Sequence, residues 1–169
     1  VKYVSQHLGE NLLSDSTTTQ NRVGITAFDF GTMFYPGFKS FRFGMSVRNF
    51  SPQLRFEEET FELPLIFRLG IAMDVLDLIG NTNKSSLLIA IDALHPRAYS
   101  ERVNIGGEYS YMNFLFLRGG YKTNYDEEGL SFGFGIQYEI LETDLVFDYS
   151  HTDFGRFSDV SRFTLSMEF

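Results

Sequence analysis

Apolar and polar residues alternate with a period of two along most of this chain. In the last segment, "RFTLSMEF" (162–169), Phe163, Leu165, Met167 and Phe169 are apolar, whereas Arg162, Thr164, Ser166 and Glu168 are polar or small. Period two marks a β-strand with two unlike faces. Within 130–141, Leu130, Phe132, Phe134, Ile136, Tyr138 and Ile140 oppose Ser131, Gly133, Gly135, Gln137 and Glu139. The same parity sets Phe41, Phe43, Met45 and Val47 against Arg42, Gly44, Ser46 and Arg48. It sets Leu65, Phe67, Leu69, Ile71 and Met73 against Arg68, Gly70, Ala72 and Asp74. It also sets Val103, Ile105, Tyr109 and Tyr111 against Arg102, Asn104, Glu108 and Ser110.

About ten strands are predicted on this basis: 1–8, 21–34, 39–50, 61–76, 85–94, 102–112, 114–125, 130–141, 143–151 and a last one from Val160. The strands at 21–34 and 85–94 alternate less cleanly, and helical periodicity is almost absent. A chain end frays unless it is tied down, so an apolar strand at the terminus must be paired and must face a protein core or lipid. Length separates these two environments. At roughly 3.3 Å per residue and a tilt of about 40°, ten residues rise about 25 Å, the height of an outer-membrane apolar band. Strands of soluble proteins usually run nearer five or six residues.

The connections alternate as well. "YPG" (35–37), "MN" (112–113) and "ET" (142–143) are short, whereas "SPQLRFEEET", "HPRAYSE", "NYDEEG" and "TDFGRFSD" are longer and more charged. Short periplasmic turns facing longer outer loops is the arrangement of a membrane barrel. "LIGNTNKS" fits this scheme least well, as a periplasmic turn of middling length. An open strand edge in lipid would leave about five outward N–H and C=O groups unpaired, at several kcal/mol each. That total is more than a marginally stable fold carries. The strands must therefore close on themselves or pair with others.

Composition changes this picture little. A net charge of −8 argues against a nucleic-acid partner. The 169 residues include no cysteine, which excludes disulfides and thiolate metal sites, and 19 Phe and 9 Tyr but no Trp. No apolar run approaches the ~18 residues of a membrane helix. No signal peptide is visible, and "VKYVSQHL" reads as the middle of a strand, so the expected N-terminus is a cut end of one barrel domain covering 1–169.

Catalysis finds little support. His7, His95 and His151 are scattered, and Ser150 and His151 are adjacent on one strand and so point to opposite faces. Asp148 and Ser150 share a face without an evident base beside them. No enzyme activity and no cofactor are expected. Gly133 and Gly135 lie inside a strand with no helix following, so they form no phosphate loop. With Gly106, Gly107, Gly119 and Gly120 they mark bends and leave interior room. The acidic runs 57–59 and 126–128 are read as solvated outer loops. The face opposite the apolar one carries Arg42, Arg48, Arg68, Arg102 and Arg118 against Asp74, Asp92, Glu108, Glu139 and Asp148. Mixed signs point to a network of paired lumen charges more than to a one-sign ion filter. Arg68, Asp74, Asp92, Glu108, Arg118 and Asp148 are its principal members.

The segments "VRNFSP", "ELPLIFRLG", "DALHP", "ERVNIGGEY", "LRGGYKTNYDEEGLSFGFGIQY" and "FTLSMEF" resemble the PorV/PorQ family of FadL-like outer-membrane β-barrels. The likeness covers nearly the whole chain, as the C-terminal two-thirds or so of a member. It implies a transmembrane antiparallel up-and-down barrel of about fourteen strands, within the outer-membrane range, with some strands preceding Val1. It implies a bacterial outer-membrane location, contact with lipid, and assembly by the barrel-assembly machinery. Phe163, Leu165, Met167 and the terminal Phe169 would be the assembly signal. Two functions follow from the resemblance: a component associated with type IX secretion that binds secreted cargo or secretion-system proteins through its outer loops, or a FadL-like channel for hydrophobic molecules. A soluble β-rich protein is the third alternative.

Overall fold

A computed structural model describes residues 1–12, 18–56, 59–80, 84–140 and 143–168. Ten strands form one sheet: β1 (Lys2–Leu12), β2 (Thr18–Phe34), β3 (Arg42–Phe50), β6 (Ile66–Asp74), β7 (Ser85–Pro96), β8 (Arg102–Tyr111), β9 (Leu115–Thr123), β10 (Leu130–Ile140), β11 (Thr143–Thr152) and β12 (Val160–Glu168). A separate two-stranded hairpin, β4 (Leu54–Phe56) with β5 (Glu59–Phe61), occupies the connection between β3 and β6. The protein is thus an all-β antiparallel up-and-down sheet in which each strand pairs with the next one along. Its two end strands, β1 and β12, each have a partner on one side only among the described residues.

From β3 through β12 the registers of the large sheet set a mainly apolar face against a mainly polar one, and β1 and β2 are mixed. Phe134 stands opposite Leu117 on β9 and Tyr149 on β11, and Phe147 stands opposite Ile136 and Leu165. Directly opposite side chains share a face, so these residues belong to one continuous apolar surface. It continues through Tyr109, Ile105, Ile91, Ile71, Phe43 and Phe34 to the far side of the sheet. Nothing covers it. Phe132 is 51% exposed, Phe163 69% and Leu165 68%. Ile25, Ala27, Leu94 and Pro96 are buried, and all four lie on the polar face. Crowding on one face and openness on the other is what a curled, twisted sheet produces.

The structure amends the sequence reading at several element ends. Strand β3 begins at Arg42 and not near 39, because Lys39 takes the left-handed conformation (φ 51°) in a turn closed by Phe41 N–H donating to the Phe38 carbonyl at 3.0 Å. Strand β6 begins at Ile66 and not at 61, since Phe61 belongs to the small hairpin and Pro64, which lacks an N–H, lies between. A single helical turn, α1 (Leu76–Ile79), follows β6 where strand was expected to run to 76. The Asp74 carboxylate accepts hydrogen bonds from the N–H groups of Leu76 (2.9 Å) and Leu87 (3.0 Å), and Gly80 ends the turn at φ 74°. The expected turn at 142–143, most of the acidic run 57–59, part of "LIGNTNKS" and the terminal Phe169 fall on or beside positions outside the described residues.

One connection carries its own prediction. Met112 and Asn113 join β8 to β9 with φ of 54° and 52°, the two left-handed central residues of a type I′ hairpin turn. Asn-Gly suits that turn far better than Met-Asn, and each L-residue forced left-handed costs about 1–2 kcal/mol. Met112→Asn with Asn113→Gly is expected to raise unfolding stability by about 1 kcal/mol, read as a higher urea midpoint with unchanged slope.

Candidate functional site

The polar face presents chemistry in rows that run across the strands. One row comprises Arg42, Ala72, Ala90, Gly106, Gly120 and Ser131, each directly opposite the next from β3 to β10. After Arg42 it is built of the smallest side chains. The adjacent row runs Leu88, Glu108, Arg118, Gly133, Ser150 and Arg162 from β7 to β12. All ten charged residues predicted to share the inner face do share this one.

They do not form one network. Arg118 is the centre of a three-residue cluster: its Nε donates to Glu108 Oε2 at 2.6 Å, and its Nη1 donates to Asp148 Oδ1. Glu108 is the cross-strand neighbour on β8, but Asp148 lies on β11, beyond β10. Glycine at 135 makes the reach possible. A Cβ there would sit 2.5 Å from Asp148 Oδ1 and 3.2 Å from Arg118 Nη1. The guanidinium therefore crosses β10 through the space that a side chain would have filled. On β6 and β7, Gly70 faces Asp92 in the same way, and the Asp92 carboxylate folds over the glycine.

The remaining predicted members are placed differently. Arg68 and Asp92 stand on the polar face without an ion pair among the described residues, as do Arg42, Arg48 and Glu139. Asp74 sits at the short-turn end, where it holds the start of α1 and the entry of β7 instead of a lumen partner. The expectation of one paired network is corrected to a three-residue cluster with isolated charges around it. Register does not forbid wider pairing, since Arg68 and Arg102 are both diagonal neighbours of Asp92; the Asp92 carboxylate instead lies over Gly70, and the Arg102 guanidinium lies against the rings of Tyr99 and Tyr125.

Sequence reasoning did not find the assembly at the loop end. The Arg102 guanidinium lies between the rings of Tyr99 and Tyr125, 5.1 and 4.4 Å from their centroids. Lys122 pairs with Glu128, and the backbone N–H of Arg156 donates to Glu127 Oε2 at 3.1 Å, tying the loops 124–129 and 153–159 together. Thus 126–128, read as merely solvated, is anchored at two of its three carboxylates. The signal in the sequence was the pair of tyrosines flanking the β8–β9 hairpin, whose first strand opens on arginine. Farther along this end, Lys2 pairs with Asp29 at 2.9 Å, and Asp29 accepts the backbone N–H of Asn49 at 2.7 Å.

Among the expected assembly residues, Phe163, Leu165 and Met167 lie on the apolar face of β12, opposite Tyr149, Phe147 and Leu145. The Phe163 ring centroid is 4.9 Å from that of Tyr149 and 6.4 Å from that of Phe147. His95 and His151 stand on different strands, and His151 Nδ1 is 3.2 Å from Ser161 Oγ on the apolar face, away from Asp148. Compared with family models, with curated proteins and with solved structures, the chain has no match.

Proposed function

We propose that this sheet is part of a transmembrane β-barrel of the bacterial outer membrane, its apolar face against lipid and its polar face toward the lumen. The observation that carries the reading is the uncovered apolar surface. Across the large sheet it exposes aromatic and aliphatic side chains, and among the described residues no second layer receives them. Monomeric soluble proteins rarely expose apolar patches beyond a few hundred Å². Strands of 9–12 residues in β3 and β6–β12 match the span of a bilayer. Tyr111 and Tyr138 stand on the apolar face near the short-turn end and Tyr121 near the loop end, as aromatic girdles do at the two membrane interfaces. The free edges of β1 and β12 are paired in the membrane, with each other or with further strands of a barrel of about fourteen, because lipid satisfies no backbone group.

Within that reading we infer a PorV/PorQ-type role: binding of secreted cargo or secretion-system proteins by the loop end. The tied loops with Tyr99, Tyr125 and Phe157 at that end support it, since rigid aromatic anchors suit protein recognition. The row of Ala and Gly across the polar face favours a second role, a FadL-like channel, because it leaves interior space. Fractionation tests the common ground. The protein should leave cell envelopes only with detergent and should migrate faster on gels before heating than after; recovery without detergent would overturn the proposal. Deletion then separates the roles: loss of cargo from the cell surface supports the first, and loss of labelled fatty-acid uptake supports the second.

A further inference from the structure

We propose that Arg162 and the hydroxyls around it form a binding site for the oxyanion of a small solute, reached from the loop end of the sheet. The inference rests on the sheet itself and goes beyond both roles above. A recess of about 420 Å³ opens on the polar face over β9–β12. Arg118 bounds it on one side and Arg162 on the other, and between them in the same row stand Gly133 and Ser150. Gly133 contributes no side chain, so the floor between the two guanidinium groups is open.

The two arginines differ in what they have left to give. Arg118 is held by Glu108 and Asp148. Arg162 makes no hydrogen bond or ion pair among the described residues, and neither do the hydroxyls of Ser150, Thr152 and Thr164, which line the same recess. Asp148 is the nearest carboxylate by register, diagonal to Arg162, but its Oδ1 is engaged by Arg118. What remains is one planar fork of five N–H donors beside three rotatable hydroxyls. That set matches a carboxylate or phosphate, whose oxygens accept two parallel bonds from a guanidinium and further bonds from hydroxyls. Arg162 is near the start of β12, directly after the loop 153–159, so a soluble ion arrives from that end. It lies on the face opposite Phe163 and Leu165, so a lipid headgroup beside the apolar surface does not reach it.

Arginine-selective modification by phenylglyoxal tests this on the full-length protein in detergent, with peptide masses read by position. Arg162 should react quickly, and saturating inorganic phosphate should slow it roughly tenfold, the ratio that corresponds to about 1.4 kcal/mol. Arg118 should react slowly with or without phosphate. Ser150→Ala with Thr164→Val should weaken the protection at Arg162; the unsubstituted protein decides the question if that variant does not fold. Vesicles of phosphatidylglycerol should protect no better than vesicles of phosphatidylcholine. The proposal is overturned if Arg162 is unreactive before any anion is added, since a carboxylate from a strand beside β12 then holds it. It is equally overturned if phosphate leaves its reactivity unchanged, or if anionic lipid protects as well as phosphate does.

Discussion

Phe134→Arg should cost about 3 kcal/mol of folding stability in phosphatidylcholine vesicles, within the ~2–4 kcal/mol that a cation costs on the lipid face at mid-bilayer. Phe134 lies at the middle of β10 on the apolar face, its ring 6.1 Å from that of Phe147 and 5.5 Å from that of Tyr149. The substitution also removes these aromatic contacts, each worth about 0.5–1.5 kcal/mol beyond area burial. Gln137→Arg, on the opposite face of the same strand and next to Asp144, should cost less than about 1 kcal/mol, because the Gln137 amide already donates to that carboxylate at 3.2 Å. Reversible urea unfolding in vesicles measures both. In water an arginine on an open face would be nearly neutral, so equal small effects for the two variants would remove lipid from the account of this sheet.

The second large effect concerns two glycines one pleat apart. Gly133→Val should destabilise the fold by about 2–3 kcal/mol, the scale of an over-packed site, because its Cβ would sit 2.7 Å from the Tyr149 carbonyl oxygen. That oxygen belongs to the backbone of β11 and cannot turn aside. At Gly135 the obstacles are the ends of the Asp148 and Arg118 side chains. They can swing away, so Gly135→Val should cost only about 1 kcal/mol, the loss of a partly exposed ion pair set against the better strand propensity of valine.

How much of this could be read from the residues follows from the range of each signal. Alternation is local, so Phe132, Phe134 and Ile136 declared their strand and their common face without any knowledge of neighbours. The face shared by Glu108, Arg118 and Asp148 was legible for the same reason. Their meeting was not, because it depends on the register of β8 through β11 and on a glycine in a strand to which none of the three belongs. The isolation of Arg68 and Asp92 was hidden likewise, since what surrounds a charge on a sheet is chosen by other strands. The helical turn α1 is too short to show a period, and the three-residue strands β4 and β5 are too short to show alternation. Asp74, read as a lumen charge, serves the turn beside it, a competition between side chain and backbone that period-two reading does not weigh.

The order of the strands has a kinetic consequence. Every ladder of the large sheet joins strands that follow one another along the chain, apart from the step over the small β4–β5 hairpin. Each pairing therefore closes a short loop, and the entropy of closure grows only slowly with loop length. Assembly can proceed hairpin by hairpin at modest cost, as low contact order favours fast folding. In the barrel proposed above, the exception is the seam at the outer edges of β1 and β12, where the partner is distant in sequence or lies on another stretch of chain. Slow formation of that seam would leave a sheet that has completed its local ladders but still bears two adhesive edges, the species most prone to aggregate before a barrel closes.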